Sequence, residues 1–159
     1  MTFGTFHFEK MIILDEKRTT YMKQLIDQKY IKAAEMTYSY TAHRLGIKNV
    51  PEDDDIIDNI NYTIERLDDI RQRYGSPIRI NSGYRCPALN KAVGGVSNSQ
   101  HCKGQAADLF WDVNLFSFII QHCKFDQLIE EQAGNTKWIH ISFKRENERN
   151  QIIKLTKKH

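Results

Sequence analysis

Ser99-Gln100-His101-Cys102-Lys103-Gly104-Gln105-Ala106-Ala107-Asp108-Leu109-Phe110 carries most of what this chain discloses about itself. Its first half is polar and holds a glycine, as a loop does. Its second half is an apolar run with one carboxylate inside it, as a buried strand with a task would be. Trp138-Ile139-His140-Ile141-Ser142 repeats the pattern, with a histidine in the place of the carboxylate. A carboxylate inside an apolar strand needs a cation or a strong set of hydrogen bonds. Taken singly, each of these residues has an ordinary reading: a solvated or core histidine, an aspartate at a turn. Two polar groups inside two apolar strands make one shared ion the more economical account. His101, Asp108 and His140 are then a three-ligand set, the kind that holds zinc with a fourth position open for water. Gly104 lets the loop turn between the first two ligands, and Ala106-Ala107 leaves room beside them. Cys102 is not expected to join, because neighbouring side chains of an extended stretch point opposite ways.

Reading outward, Glu52 to Tyr74 is the clearest helix. Ile56, Ile57, Ile60, Ile64, Leu67 and Ile70 form one apolar stripe at three- and four-residue steps. Asp53-Asp54-Asp55 resembles a metal cluster but reads as a helix start, where the dipole favours negative charge, and Gly75 ends the helix. Pro77 to Asn81 alternates like a short strand, and Pro87 to Val93 reads as a short helix. Ala106 to Trp111 reads as a strand. Asn114 is expected to cap a helix from Leu115 to about His122. Phe125–Glu131 and Lys137–Phe143 read as two strands of an antiparallel hairpin turning at Gly134-Asn135, and Gln151–Thr156 as an added edge strand. The N-terminal residues 1–34 show no chemistry: a weak strand over Phe6–Leu14 and helical spacing over Thr19–Glu35. They are expected to be an extension to a single domain at 35–159. The fold class expected is α+β, an antiparallel sheet with helices on one side.

Composition narrows the function classes. A chain of 159 residues, 40% hydrophobic and 27% charged, is enough for one core. A net charge of +3 is too weak to argue for nucleic acid, and no apolar run approaches the ~20 residues of a membrane span. No secretory leader is visible, and a monomer is expected. The three cysteines, Cys86, Cys102 and Cys123, make no disulfide framework. His7, His43, His122 and His159 lack any comparable setting.

Ser99-x-His101-x-x-Gly104-x-Ala106-x-Asp108, with the later Trp138-Ile139-His140, resembles the signature of the zinc D-Ala-D-Ala carboxypeptidase family, whose fold is shared with the hedgehog signalling domain. Ser82-Gly83-Tyr84-Arg85-Cys86-Pro87-x-x-Asn90, followed by Val93-Gly94-Gly95, resembles that family's arginine-bearing loop. Glu35 to Asn49 resembles the lead-in of its phage and prophage members. The resemblance spans roughly residues 35 to 145. It implies Zn²⁺ on His101, Asp108 and His140, and Arg85 on the scissile carbonyl oxygen, where a fixed cation stabilises developing charge; an ordinary turn residue is the other reading of Arg85. It implies a substrate contact for Ser99, which also reads as a residue that merely shapes its loop. Trp138 and Tyr84 read either as walls of the cleft or as core aromatics.

The general base is the departure from the family pattern. Many members carry a glutamate three residues before the last histidine, where this chain has Lys137. The phage-like members place one at the end of the preceding strand, which is Glu131 here; Glu130, pointing to the other sheet face, is the fallback. The implied activity is hydrolysis of peptidoglycan stem peptides beside D-alanine, either terminal or in a cross-link. The setting implied is an endolysin made in the host cytoplasm and released to the wall at lysis. Two rival readings stand beside it: an L-alanyl-D-glutamate endopeptidase, and a non-catalytic wall-binding or virion domain that keeps the fold.

Overall fold

The computed structural model describes residues 12–13, 19–20 and 23–157. Its backbone elements are β1 (Ile12–Ile13), β2 (Thr19–Thr20), α1 (Ala33–Thr37), α2 (Tyr40–Leu45), α3 (Asp54–Tyr74), β3 (Ile80–Ser82), α4 (Pro87–Ala92), β4 (Ala106–Phe110), α5 (Val113–His122), β5 (Gln127–Ala133), β6 (Thr136–Ser142) and β7 (Gln151–Lys157).

The long helix α3 forms where the apolar stripe places it. Asp53 is its N-cap, with its carboxylate accepting from the N–H groups of Asp55 at 2.9 Å and Ile56 at 3.1 Å. The acidic run is therefore a cap, and Gly75 ends the helix at a φ of 78°. Ile60, Ile64 and Leu67 are completely buried, each worth about 1.5–3 kcal/mol of transfer free energy.

That stripe packs on a five-stranded sheet of order β3-β4-β6-β5-β7. Within β4, β5 and β6, side chains alternate between two faces. Ala107, Leu109, Leu128, Ile139 and Ile141 share one face and one core with α3 and with Leu115 and Ile119 of α5. The other face carries Asp108, His140, Ile129 and Glu131. The fold is α+β, with helices on one face of the sheet and the polar site on the other. Three of its strand pairings are antiparallel, whereas β7 joins β5 in parallel.

Several boundaries differ from the sequence reading. The strand expected over 77–81 runs Ile80–Ser82, and its pairing with β4 shifts register between those residues. Helix α5 starts at Val113, because Asp112 rather than Asn114 supplies the cap, accepting from Asn114 N at 2.8 Å and Leu115 N at 3.3 Å. The helix expected over Thr19–Glu35 is replaced: Thr19–Thr20 pairs with Ile12–Ile13, residues 23–32 are non-helical, and only Ala33–Glu35 lie in α1. The buried carboxylate of Asp68 on α3 accepts from the N–H groups of Tyr30 at 2.6 Å and Ile31 at 2.9 Å, giving them partners outside any helix. Of the strand expected over Phe6–Leu14, only Ile12–Ile13 is described; the remainder lies outside the described residues.

Candidate metal centre

Asp108 and His140 stand directly opposite each other on β4 and β6, with Ile129 of β5 next in the row. His101 reaches the same point from the turn before β4. That turn is pressed onto α3. Thr63 Oγ1 donates to the Gly104 carbonyl at 2.8 Å and Asn59 Nδ2 donates to the Lys103 carbonyl at 2.9 Å. Gly104 has a φ of 71°, and a Cβ there would lie 2.7 Å from Ile60 Cγ1 and 2.8 Å from the Ile56 carbonyl oxygen. Ile56, Asn59, Ile60 and Thr63 follow the i, i+3, i+4, i+7 spacing of one helix face, so α3 is the platform for the His101 turn.

His101 Nδ1 lies 2.7 Å from the Gly83 carbonyl oxygen. A carbonyl only accepts, so Nδ1 carries a proton and Nε2 is the nitrogen turned toward Asp108 and His140. Gly83 is itself forced by crowding: a Cβ would run into the Met36 backbone, whose carbonyl takes the Tyr84 N–H at 2.6 Å.

The three candidate ligand atoms form a nearly equilateral triangle. His101 Nε2 is 3.2 Å from Asp108 Oδ1 and 3.2 Å from His140 Nδ1, and His140 Nδ1 is 3.1 Å from Asp108 Oδ1. A tetrahedral zinc ion with bonds of about 2.0–2.1 Å holds its ligand atoms roughly 3.3 Å apart. The donor set, two nitrogens and one oxygen, also suits zinc, and all three residues are buried. Burial pushes the Asp108 carboxyl upward. The His101 imidazole, by charge and by hydrogen bond, and then His140 outweigh burial and hold it well below the usual carboxylate range. Asp108 is therefore anionic at neutral pH, the state a metal ligand requires.

Arg85 closes the other side of Asp108. Its Nη2 donates to Asp108 Oδ2 at 2.5 Å and its Nε to Ser82 Oγ at 2.9 Å. Both carboxylate oxygens of Asp108 thus have assigned directions, one toward the histidines and one toward the guanidinium.

The triangle opens on a cleft of about 780 Å³ that is also lined by Arg85, Ser99, Glu131 and Trp138. Ser99 Oγ accepts from the His101 N–H at 3.2 Å, so it also shapes the ligand turn. Glu131 pairs with Trp138 across β5 and β6 and lies on the site face. It is buried, and its Oε2 lies 2.9 Å from Lys157 Nζ, yet off the hydrogen-bonding direction, so that oxygen has no hydrogen-bond partner among the described residues. Glu130 points to the opposite face, where Lys137 at 2.5 Å and Lys154 at 3.3 Å pair with it; Lys137 above all holds its carboxyl below the ordinary range. Tyr84 is not brought to the cleft: it is 5% exposed and part of the hydrophobic core. Cys102 stays out of the ligand set, although it sits in a turn and not in the extended stretch expected. Sequence reasoning missed Asp126, Lys144, Arg149 and Lys157 around the cleft. A pattern read residue by residue has no signal for them, because their proximity arises from β7 and the turn before it.

Fold and geometry together define a class: an α+β domain with a candidate three-ligand metal centre lining an open cleft. The chain belongs to the Peptidase M15 family, whose model matches residues 29–142. Over 52 residues it is also 44% identical to the zinc D-Ala-D-Ala carboxypeptidase of Streptomyces albus G. That match covers 32% of this chain and only 20% of the relative.

Proposed function

We propose that this protein is a zinc-dependent peptidase acting on peptidoglycan stem peptides next to D-alanine, in a wall-lytic, endolysin-like role. The observation that carries the reading is the 3.1–3.2 Å triangle of His101, Asp108 and His140 open to a cleft. Family membership and the partial likeness to a zinc D-Ala-D-Ala carboxypeptidase support it.

His101, Asp108 and His140 would hold a zinc ion, which would supply Lewis acidity and make a nucleophile available near neutral pH. The chain's own groups do the rest. Glu131, buried on the site face, takes the proton of the attacking water and returns it to the leaving amine. Its Oε2 makes no hydrogen bond among the described residues, although the Lys157 ammonium stands 2.9 Å away. Arg85, locked by Ser82 and Asp108, presents fixed positive charge to the oxygen of the bond being cut. Ser99 and Trp138 contact the peptide from the cleft walls.

The test combines metal analysis with digestion of purified cell-wall sacculi and mass identification of the products. Wild type is expected to carry zinc and release D-alanine-adjacent fragments. Glu131→Ala is expected to retain zinc and lose about 10²–10⁴-fold in rate, and His101→Ala to lose both metal and activity. Products cut between L-alanine and D-glutamate would reassign the bond. A zinc-loaded wild type that releases nothing would refute the enzyme reading and leave a non-catalytic wall-binding domain.

A further inference from the structure

The proposed chemistry leaves part of the charge pattern of the cleft unused. Arg85 and Lys157 face the carboxylates of Asp108 and Glu131. Lys144 and Arg149 also line the cleft, and a single carboxylate holds both of them. That carboxylate, Asp126, is completely buried. Its Oδ1 accepts from Arg149 Nε at 2.9 Å and Arg149 N at 3.3 Å, and lies 3.2 Å from Lys144 Nζ. Its Oδ2 accepts from Arg149 Nη2 at 2.5 Å and from Gln100 Nε2 at 2.8 Å.

Two cations on one anion leave a net positive charge in the cleft wall. The Lys144 and Arg149 side chains are 35% and 48% exposed, so the surplus meets solvent in the cleft. Arg149 gives Asp126 its Nε–Nη2 edge, and its Nη1 has no partner among the described residues. A planar guanidinium with an unused edge is well suited to a carboxylate.

Position gives this charge a meaning. The Asp126 N–H donates to the Ser142 carbonyl at 2.8 Å. Ser142 shares the sheet face of His140, two residues along β6, which is about 7 Å at strand spacing. Gln100 ties the cluster to the residue before His101. Glu131 and Trp138 lie in the other direction from His140. An extended peptide also advances about 7 Å in two residues.

We propose that Lys144 and Arg149, set in place by Asp126, form a carboxylate-binding subsite that selects peptides bearing an acidic group about two residues from the bond cut. The inference rests on the peptidase reading above. The carboxylate belongs to the substrate peptide, and the subsite is a specificity determinant separate from the metal centre.

The test measures binding as well as turnover. Seven-residue peptides are built around one D-Ala-D-Ala bond, with a single glutamate or glutamine walked through the positions on either side. Zinc-loaded wild type is expected to bind the glutamate peptide about tenfold more tightly than its glutamine counterpart at one position near two residues out. Raising salt from 0.05 to 0.5 M shrinks that preference. Lys144→Gln, in which Arg149 still pairs with Asp126, is expected to lose most of it, and Arg149→Lys to keep part of it. A triple variant, Asp126→Asn with Lys144→Gln and Arg149→Gln, removes the charges together and leaves no buried anion unpaired; it is expected to bind both peptides alike. Equal binding of glutamate and glutamine peptides by wild type at every position overturns the subsite, as does a preference that survives in the folded triple variant. A clear binding preference with no hydrolysis of any peptide supports the subsite and refutes cleavage at the D-Ala-D-Ala bond.

Discussion

Replacing Gly104 by alanine tests how the metal loop is seated. Gly104 has a φ of 71°, and a Cβ there would stand 2.7 Å from Ile60 Cγ1, 2.8 Å from the Ile56 carbonyl oxygen and 3.1 Å from the Ile60 nitrogen. Two costs add. A non-glycine residue in the left-handed region costs about 1–2 kcal/mol, and forcing a methyl group into an occupied space costs about 1–3 kcal/mol more. The sum is about 2–5 kcal/mol, or roughly 5–20 °C in melting temperature for a domain of this size. Gly46 is the internal control. It has a φ of 65° with nothing within 4 Å of its added Cβ, so Gly46→Ala should show only the first cost, about 1–2 kcal/mol. The same displacement reaches His101, because the Gly104 N–H donates to the His101 carbonyl at 3.2 Å. Gly104→Ala should therefore also weaken zinc binding, while Gly46→Ala should not. Denaturant unfolding with and without zinc, and competitive titration of the metal, measure both effects. Equal destabilisation of the two variants, or undiminished zinc affinity in Gly104→Ala, would refute the argument that α3 seats the ligand loop.

Two further predictions concern charge. Zinc at a hundredfold excess over its dissociation constant should stabilise the fold by about 2.7 kcal/mol, roughly 5–10 °C by calorimetry; His140→Ala should abolish that rise, and a rise of equal size in that variant would separate the metal from the triangle. Arg149, and with less weight Gln100 and Lys144, hold the Asp126 carboxyl far below the usual range against the opposing effect of burial. A depressed carboxyl contributes stability above its unfolded pKa of about 3.9 and loses it as pH falls through the folded value. Asp126→Asn should then be less stable than wild type by about 1–3 kcal/mol at pH 7, with the gap closing below about pH 4; a gap that does not vary with pH would show that charge at Asp126 is not the cause.

Local rules made much of this protein legible from its sequence. The α3 stripe, its acidic cap and its closing glycine are properties of neighbouring residues, and the helix forms where they place it. The Gly134-Asn135 turn and two alternating runs determine the β5–β6 hairpin. Its register puts Glu131, and not Glu130, on the face of His140, because side-chain alternation leaves no other outcome. The three metal-ligand candidates were visible because polar groups in apolar strands demand a partner, and the structure brings their ligand atoms within 3.2 Å of one another.

What the sequence left open depends on partners distant along the chain. Helical spacing over Thr19–Glu35 is overridden at Tyr30 and Ile31, whose N–H groups go to Asp68 instead of to carbonyls one turn back. Tyr84 sits one residue from Arg85, but the close approach of Gly83 to Met36 sends it into the core instead of the cleft. No local pattern specifies that β7 pairs with β5 in parallel, yet that pairing carries Lys157 to Glu131. The turn before β7 likewise gathers Lys144 and Arg149 on Asp126. The sequence by itself determined the helix, the hairpin and the candidate ligands, because short-range periodicity and the cost of burying polar groups act within each segment. Only tertiary structure decided which charges surround the ligands, because an ion pair is chosen by where the chain returns in space.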